Sequence, residues 1–260
     1  MAAGCDRLKG KVAIITGGGA GIGEACCTLF AAEGAQVIVA EVNDRDGQAV
    51  ADAINKGGGS AHFVHCNVAV EEDVVALVEE TLRVYGTIDV LVNNAGIVLL
   101  KNALDTSLDE WSNIVNINLR GVWLCSRYAL PTMLAKGKGS IVNIASVHGL
   151  QTLKDMTAYA STKGGVLAMT RAMALDHAPK VRVNSILPGF IATNMWQKVL
   201  DTTDDPEQLT RETVALQPMG RLGQPMDVAK GALFFASDES EWVTGTSLTI
   251  DGGITARFHN

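Results

Sequence analysis

Short apolar runs alternate with segments of helical period along most of the chain. Residues 12–15, 37–40, 62–66, 88–92, 140–144, 181–186 and 247–250 lack the polar alternation of a half-exposed sheet, so they are expected as strands buried on both faces. Helices are expected between them. The first covers 21–33 and ends near Gly34; the second covers 45–56 and is closed by the glycines 57–59. A third runs over about 68–85, with acids in its first turn where the helix dipole favours them. A long amphipathic stretch occupies 108–135, a helix 157–177, and another 225–237 with proline in its first turn. The segment 189–217 fits neither pattern. It is long, polar in its middle and without a strand, so it is expected as a substrate-binding lid.

Strands without polar alternation, separated by helices, imply a parallel sheet with right-handed crossovers. The expected fold class is a single doubly wound, Rossmann-type α/β domain over residues 1–260, with a mostly parallel seven-stranded sheet and helices on both faces. A chain of 260 residues with 47% apolar and 19% charged residues can bury a core of that size and is not a disordered one.

Charge and cysteine usage narrow the function classes. The net charge of −7 argues against nucleic acid as a partner, because phosphate neutralisation needs clustered Lys and Arg. No apolar run reaches the roughly 18 residues of a membrane span, and residues 1–11 lack the apolar core of a secretory signal. A cytoplasmic location is expected. Cysteines at 5, 26, 27, 66 and 125 are odd in number and form no CxxC, so a disulfide framework is not expected; the last four read as small core residues. No spacing of His, Cys and carboxylates suggests a metal site.

The first strand runs directly into Thr16-Gly-Gly-Gly-Ala-Gly-Ile-Gly23 and then into a helix. Glycines at 17, 21 and 23 would give a tight turn, close backbone approach to a pyrophosphate and close helix–strand packing. The spacing differs from G-x-G-x-x-G, and no P-loop Gly-Lys-Ser/Thr is present. A plain glycine turn is the alternative. Glu41 ends the second strand, where a carboxylate can accept hydrogen bonds from ribose hydroxyls and repel a 2′-phosphate. No Arg or Lys stands at Gly18, Gly19 or Val42 to offset it, which favours NAD over NADP; the alternative is a solvated Glu at a strand end.

Tyr159 and Lys163 are four residues apart and share a face of the expected helix. A nearby ammonium should lower the phenol from its usual value of about 10 and let it exchange a proton with a substrate oxygen. Ser146, at the end of the fifth strand, could polarise the same oxygen. Alone, the pair also reads as an unremarkable feature of a helix surface.

Taken together, Thr16-Gly-x-x-x-Gly-Ile-Gly23, Asn93-Asn-Ala-Gly96, Asn118, Ser146, Tyr159-x-x-x-Lys163, Pro188-Gly189 with Thr193, and Asp251-Gly-Gly253 resemble the short-chain dehydrogenase/reductase family over about residues 8–253. The resemblance implies Tyr159 as general acid/base and Lys163 as the group that lowers its pKa and holds the nicotinamide ribose. It implies that Ser146 orients the substrate oxygen, and that Asn118 keeps a break in the long helix and holds a relay water. For the dinucleotide it implies Gly17, Gly19, Gly21, Ile22 and Gly23 in the turn, Glu41 and Val42 after the second strand, and Asn67 and Val68 after the third. Asn94, Ala95 and Gly96 would line the adenosine side, and Pro188, Gly189, Ile191 and Thr193 the nicotinamide. Where the family usually has Asp, this chain has Asn67, whose amide oxygen can still accept from the adenine amine. A homotetramer is implied as well, formed through helix faces of 108–135 and 157–177.

Ser146, His148, Gln151, Met156, Tyr159, Phe190 and Trp196 are the candidate substrate residues, with Ile97, Val98 and Met195 beside them. The mix is mostly apolar, with His148 and Gln151 as polar points and no Arg pair to clamp a phosphate. The expected partner is a small alcohol or ketone: a polyol, sugar, cyclic alcohol or steroid-like compound, oxidised or reduced with NAD. The alternatives are an NADP-dependent 3-ketoacyl reductase and a catalytically silent nucleotide-sensing scaffold.

Overall fold

The computed structural model describes residues 6–257. Among these, seven strands form one all-parallel sheet: β1 (Val12–Thr16), β2 (Gln36–Glu41), β3 (Ser60–His65), β4 (Val90–Asn93), β5 (Gly139–Ile144), β6 (Val181–Pro188) and β7 (Ser247–Ile250). Their order is β3-β2-β1-β4-β5-β6-β7. The register aligns Ala13 with Val37 on one side and with Val90 on the other.

Successive strand residues point to opposite faces, and both faces are buried. Ala13, Ile15, Val37 and Val39 pack on one side against Phe30 of α1 (Gly21–Ala32), Val50 of α2 (Asp44–Lys56) and Leu233 of α9 (Pro225–Ala236). Ile14 and Ile38 turn the other way, toward Leu77 of α3 (Glu71–Tyr85), Met133 of α5 (Gly121–Lys136) and Met173 of α6 (Thr157–His177). This is the doubly wound α/β architecture expected from the pattern. Cys26, Cys27, Cys66 and Cys125 are buried in these layers as free thiols, while Cys5 lies outside the described residues. No helix among the described residues is long and apolar enough to cross a membrane.

Four details differ from the sequence expectation, each for a local reason. α3 starts at Glu71 because Asn67 first makes a turn, its Oδ1 accepting from Ala69 N at 3.0 Å. The 108–135 stretch is α4 (Leu108–Val115) and α5 joined by a π-helical turn, Asn116–Arg120. β7 is an edge strand whose Leu248 is exposed, so it is not buried on both faces. The 189–217 segment carries two helices, α7 (Asn194–Leu200) and α8 (Pro206–Leu216). Thr193 caps the first; Asp205 caps the second, with Pro206 in its first turn.

Candidate active site

The strand order reverses between β1 and β4, because β2 follows β1 to one side while β4 lies on the other. Open α/β sheets form a crevice at the carboxyl ends of the strands at such a point. Here it is a cavity of about 720 Å³ that runs from the end of β2, past β1 and β4, to α7 and α8.

The glycine turn closes one end. Gly17 (φ +64°) and Gly21 (φ +56°) sit in the left-handed region, which other residues enter only with strain. A Cβ at Gly23 would lie 1.9 Å from the Gly17 carbonyl oxygen, so α1 reaches the turn only because this side chain is absent. Asn94 ties the turn to β4: its Nδ2 donates to the carbonyls of Thr16 (3.0 Å) and Gly17 (3.1 Å). Thr16 Oγ1 in turn accepts from the backbone N–H groups of Asn94 and Ala95. Glu41 is held by three backbone donors, Gly19 (3.2 Å), Val42 (2.8 Å) and Asn43 (3.1 Å). The carboxylate therefore stays fixed at the lip of the cavity, with the exposed Val42 beside it.

The other end carries Ser146, Tyr159 and Lys163. Ser146 follows β5, and its Oγ accepts from His148 N at 3.2 Å. Tyr159 and Lys163 come from α6 and are 7% and 5% exposed. Lys163 Nζ donates to Ile144 O at 2.9 Å and stands 5.7 Å from the centre of the Tyr159 ring. Burial lowers the Lys163 amine to about 8. Burial also raises the Tyr159 phenol, and a hydrogen bond with Ser146 pulls it down against that trend. An aromatic ladder continues outward, every step edge-on: His148 to Tyr159 (5.7 Å), His148 to Phe190 (6.4 Å) and Phe190 to Trp196 (5.7 Å).

Most of the expected site residues line this one cavity. At the nucleotide end these are Gly17, Gly21, Ile22, Glu41, Val42, Asn67 and Val68. Asn94, Ala95, Gly96, Ile97 and Val98 follow β4; Pro188, Gly189, Phe190, Ile191, Thr193, Met195 and Trp196 follow β6; Ser146, His148, Met156, Tyr159 and Lys163 complete it. Four stand off the wall. Gly19 packs behind the turn, where a Cβ would meet Glu41 Cγ at 2.8 Å, and Gly23 fills the helix–strand contact described above. Gln151 is exposed. Asn118 is fully buried in the π-helical turn, bonded to both main-chain atoms of Ile97 at 2.8 Å and to Thr162 Oγ1 at 3.4 Å. Asn67 spends one lone pair of its oxygen on Ala69 N and keeps a second for a ligand.

The sequence did not point to Leu153, Lys154, Lys198, Leu209, Thr213 and Leu216, which also line the cavity. The signal that would have found the last three is the Asp205-Pro206 start of α8, followed by apolar positions at helical spacing.

The cradle fits a dinucleotide: a left-handed glycine turn with space above it, a fixed carboxylate on the ribose side, and a buried Tyr–Lys–Ser cluster at the far end of one cavity. Comparison with known proteins agrees. The family model described as enoyl-(acyl carrier protein) reductase matches residues 17–255. Cyclopentanol dehydrogenase of Comamonas sp. (strain NCIMB 9872) is 42% identical over 251 residues, 96% of this chain and 99% of that protein. Cyclohexanol dehydrogenase of Acinetobacter sp. (strain SE19) is 37% identical over 254 residues, 97% of this chain and 98% of that protein. A crystal structure from Burkholderia xenovorans, described as a short-chain dehydrogenase/reductase, superposes with a TM-score of 0.94 at 37% identity, covering 97% of this chain and 99% of its own.

Proposed function

The chain belongs to the short-chain dehydrogenase/reductase family, and we propose that it is an NAD-dependent dehydrogenase of cyclic secondary alcohols. One observation carries the proposal: the glycine cradle and the Ser146–Tyr159–Lys163 cluster face the same cavity, whose substrate end is lined mostly by apolar and aromatic side chains. The names of the two cyclic-alcohol relatives support the substrate class.

A nicotinamide dinucleotide, when bound, supplies the hydride acceptor for oxidation or the donor for reduction. Gly17, Gly21 and Ile22 would hold its pyrophosphate, with Gly19 and Gly23 shaping the turn behind them, and Asn67, Val68, Asn94, Ala95 and Gly96 would hold its adenosine side. Pro188, Gly189, Ile191 and Thr193 would hold the nicotinamide. Glu41 would take the ribose hydroxyls and repel a 2′-phosphate, which is the basis for NAD rather than NADP.

Ser146 Oγ and the Tyr159 hydroxyl would both hydrogen-bond the alcohol oxygen, and Tyr159 would take its proton. The Lys163 ammonium favours the phenolate so formed. Asn118 acts as a positioning residue: it pins Ile97 beside Gly96 and braces Thr162, next to Lys163. His148, Met156, Phe190 and Trp196 would enclose the ring of the alcohol. Exposed apolar side chains on α4 and α5, Leu108, Trp111 and Trp123, support the family's tetrameric assembly, which light scattering would measure.

The deciding experiment is a screen of cyclopentanols and cyclohexanols with NAD and with NADP, following absorbance of the reduced dinucleotide. Turnover with NAD, lost in Tyr159→Phe while dinucleotide binding survives, is the expected result. Undiminished turnover in Tyr159→Phe would refute the assignment of the base.

A further inference from the structure

The substrate end of the cavity has a wall for which the proposed reaction gives no role. Leu209, Thr213 and Leu216 come from α8 at helical spacing, so one stripe of that helix faces inward. Glu212 of the same helix also lines the cavity, its carboxylate accepting from Gln208 Nε2 at 2.8 Å, and Thr213 is the second polar residue there. It is 5% exposed.

A threonine in a helix ordinarily returns its hydroxyl to the carbonyl four residues earlier. Thr81 does so to Leu77 (2.7 Å), Thr170 to Val166 (2.8 Å) and Thr210 to Pro206 (2.8 Å). Thr213 does not. The one side-chain bond that reaches it, from Gln217 Nε2 at 3.4 Å, goes to its main-chain oxygen, and its hydroxyl has no partner among the described residues. The hydroxyl is not sealed from solvent, so its open bonding capacity faces the cavity, where a valine of the same shape would offer none. The unpaired hydroxyl on a cavity wall points to an oxygen on the ligand.

A second polar point faces the same space. His148 Nδ1 contacts Thr152 Oγ1 at 3.1 Å, and that hydroxyl is directed at Leu153 O at 3.5 Å. With Nδ1 engaged by Thr152, Nε2 is the ring nitrogen left for a ligand oxygen, as acceptor or donor according to the tautomer. The His148 ring stands edge-on to Tyr159, next to the reacting oxygen.

We infer that Thr213 and His148 form a second oxygen subsite, and that the substrate is a ring bearing a further hydroxyl or carbonyl close to the carbon that reacts, a cyclic diol or hydroxy-ketone rather than a simple cyclic alcohol. The second oxygen is bound and unchanged; oxidation takes place at the first. The inference rests on the secondary-alcohol reading of the same site.

The test compares cyclohexane-1,2-diol with cyclohexanol. The wild-type kcat/KM should favour the diol by about tenfold, as expected of one well-placed neutral hydrogen bond. Thr213→Val removes the hydroxyl at constant shape and should bring that ratio toward one; His148→Phe, which keeps the edge-on packing, should lower it as well. Calorimetric binding of both alcohols to the enzyme loaded with reduced dinucleotide reads the subsite without turnover, and thermal unfolding checks that the variants are folded. Equal use and equal binding of the two alcohols by the wild type would overturn the subsite, as would a ratio unmoved by Thr213→Val. A preference for the diol in calorimetry with turnover of neither would uphold the subsite and overturn the dehydrogenase reading alone.

Discussion

Replacing Lys163 with Met should make the protein more stable at neutral pH while abolishing its proposed activity. Burial lowers this amine from 10.5 to about 8, and it is 5% exposed, so little solvent screening applies. At ~1.4 kcal/mol per pH unit, holding the ammonium in place at pH 7 costs about 3 kcal/mol. Met keeps the length of the side chain and removes the charge. It also removes the bond to Ile144 O, worth about 1.5 kcal/mol, which leaves a net gain of about 1–2 kcal/mol. The sign with pH follows from the depressed amine. Below pH 8 both states bind the proton and the full penalty is present. Between about 8 and 10.5 the folded chain releases its proton first, so the wild type recovers the penalty as pH rises. The buried thiols act in the opposite direction: Cys26 and Cys66 are raised to about 12, so stability is lost once the unfolded chain ionises them above 9. Both proteins share those thiols, so the difference between them isolates Lys163. Urea titrations at pH 7, 8, 9 and 10, at one protein concentration, measure that difference. The advantage of Lys163→Met should shrink steadily between pH 8 and 10. An advantage that is absent at pH 7, or constant across the range, would refute the reasoning.

Three further outcomes follow from the site. Glu41→Ala should lower the NAD-over-NADP preference in kcat/KM by about tenfold or more, since removing the carboxylate removes the repulsion of a 2′-phosphate; an unchanged preference would remove the basis for NAD. Gly23→Ala should weaken dinucleotide binding at least tenfold in fluorescence titration, because its Cβ meets the Gly17 carbonyl, a backbone atom, at 1.9 Å and the turn must open; wild-type affinity would contradict the cradle. The Tyr159 phenol is raised by burial, so the ionised base becomes more abundant with pH, and kcat/KM for alcohol oxidation should climb between pH 6 and 8, below the range in which Lys163 loses its proton, while that for ketone reduction does not. An oxidation profile that falls over that range would exclude Tyr159 as the base.

The sheet was legible because each central strand is apolar on both faces: Ile14 and Ile15 look into different layers, and only a sheet covered twice requires that. The glycine turn was legible for a similar reason, since Gly17 and Gly21 need left-handed backbone at fixed places. Distances between elements could not be read. Gln151 and His148 are equally plausible polar points on paper, yet the short helical turn after β5 puts His148 on the wall and leaves Gln151 in solvent. Thr213 was hidden because 189–217 looked like loop, although Asp205-Pro206 announces a helix there.

The direction of the Tyr159 shift was hidden for a deeper reason. The spacing of Tyr159 and Lys163 places ammonium and phenol on one face of α6, and Coulomb attraction alone would make the phenol more acidic. The burial that raises the phenol comes largely from outside α6: Ile114 of α4, Met156 and the Ile97–Leu100 segment pack with Tyr159, and His148 after β5 lies edge-on to its ring. Two side chains proposed to enclose the substrate, His148 and Met156, thus also cover the base. A variant that opens this cover, such as His148→Ala, would therefore alter substrate fit and proton affinity together, whereas Thr213→Val, on α8, would alter fit alone.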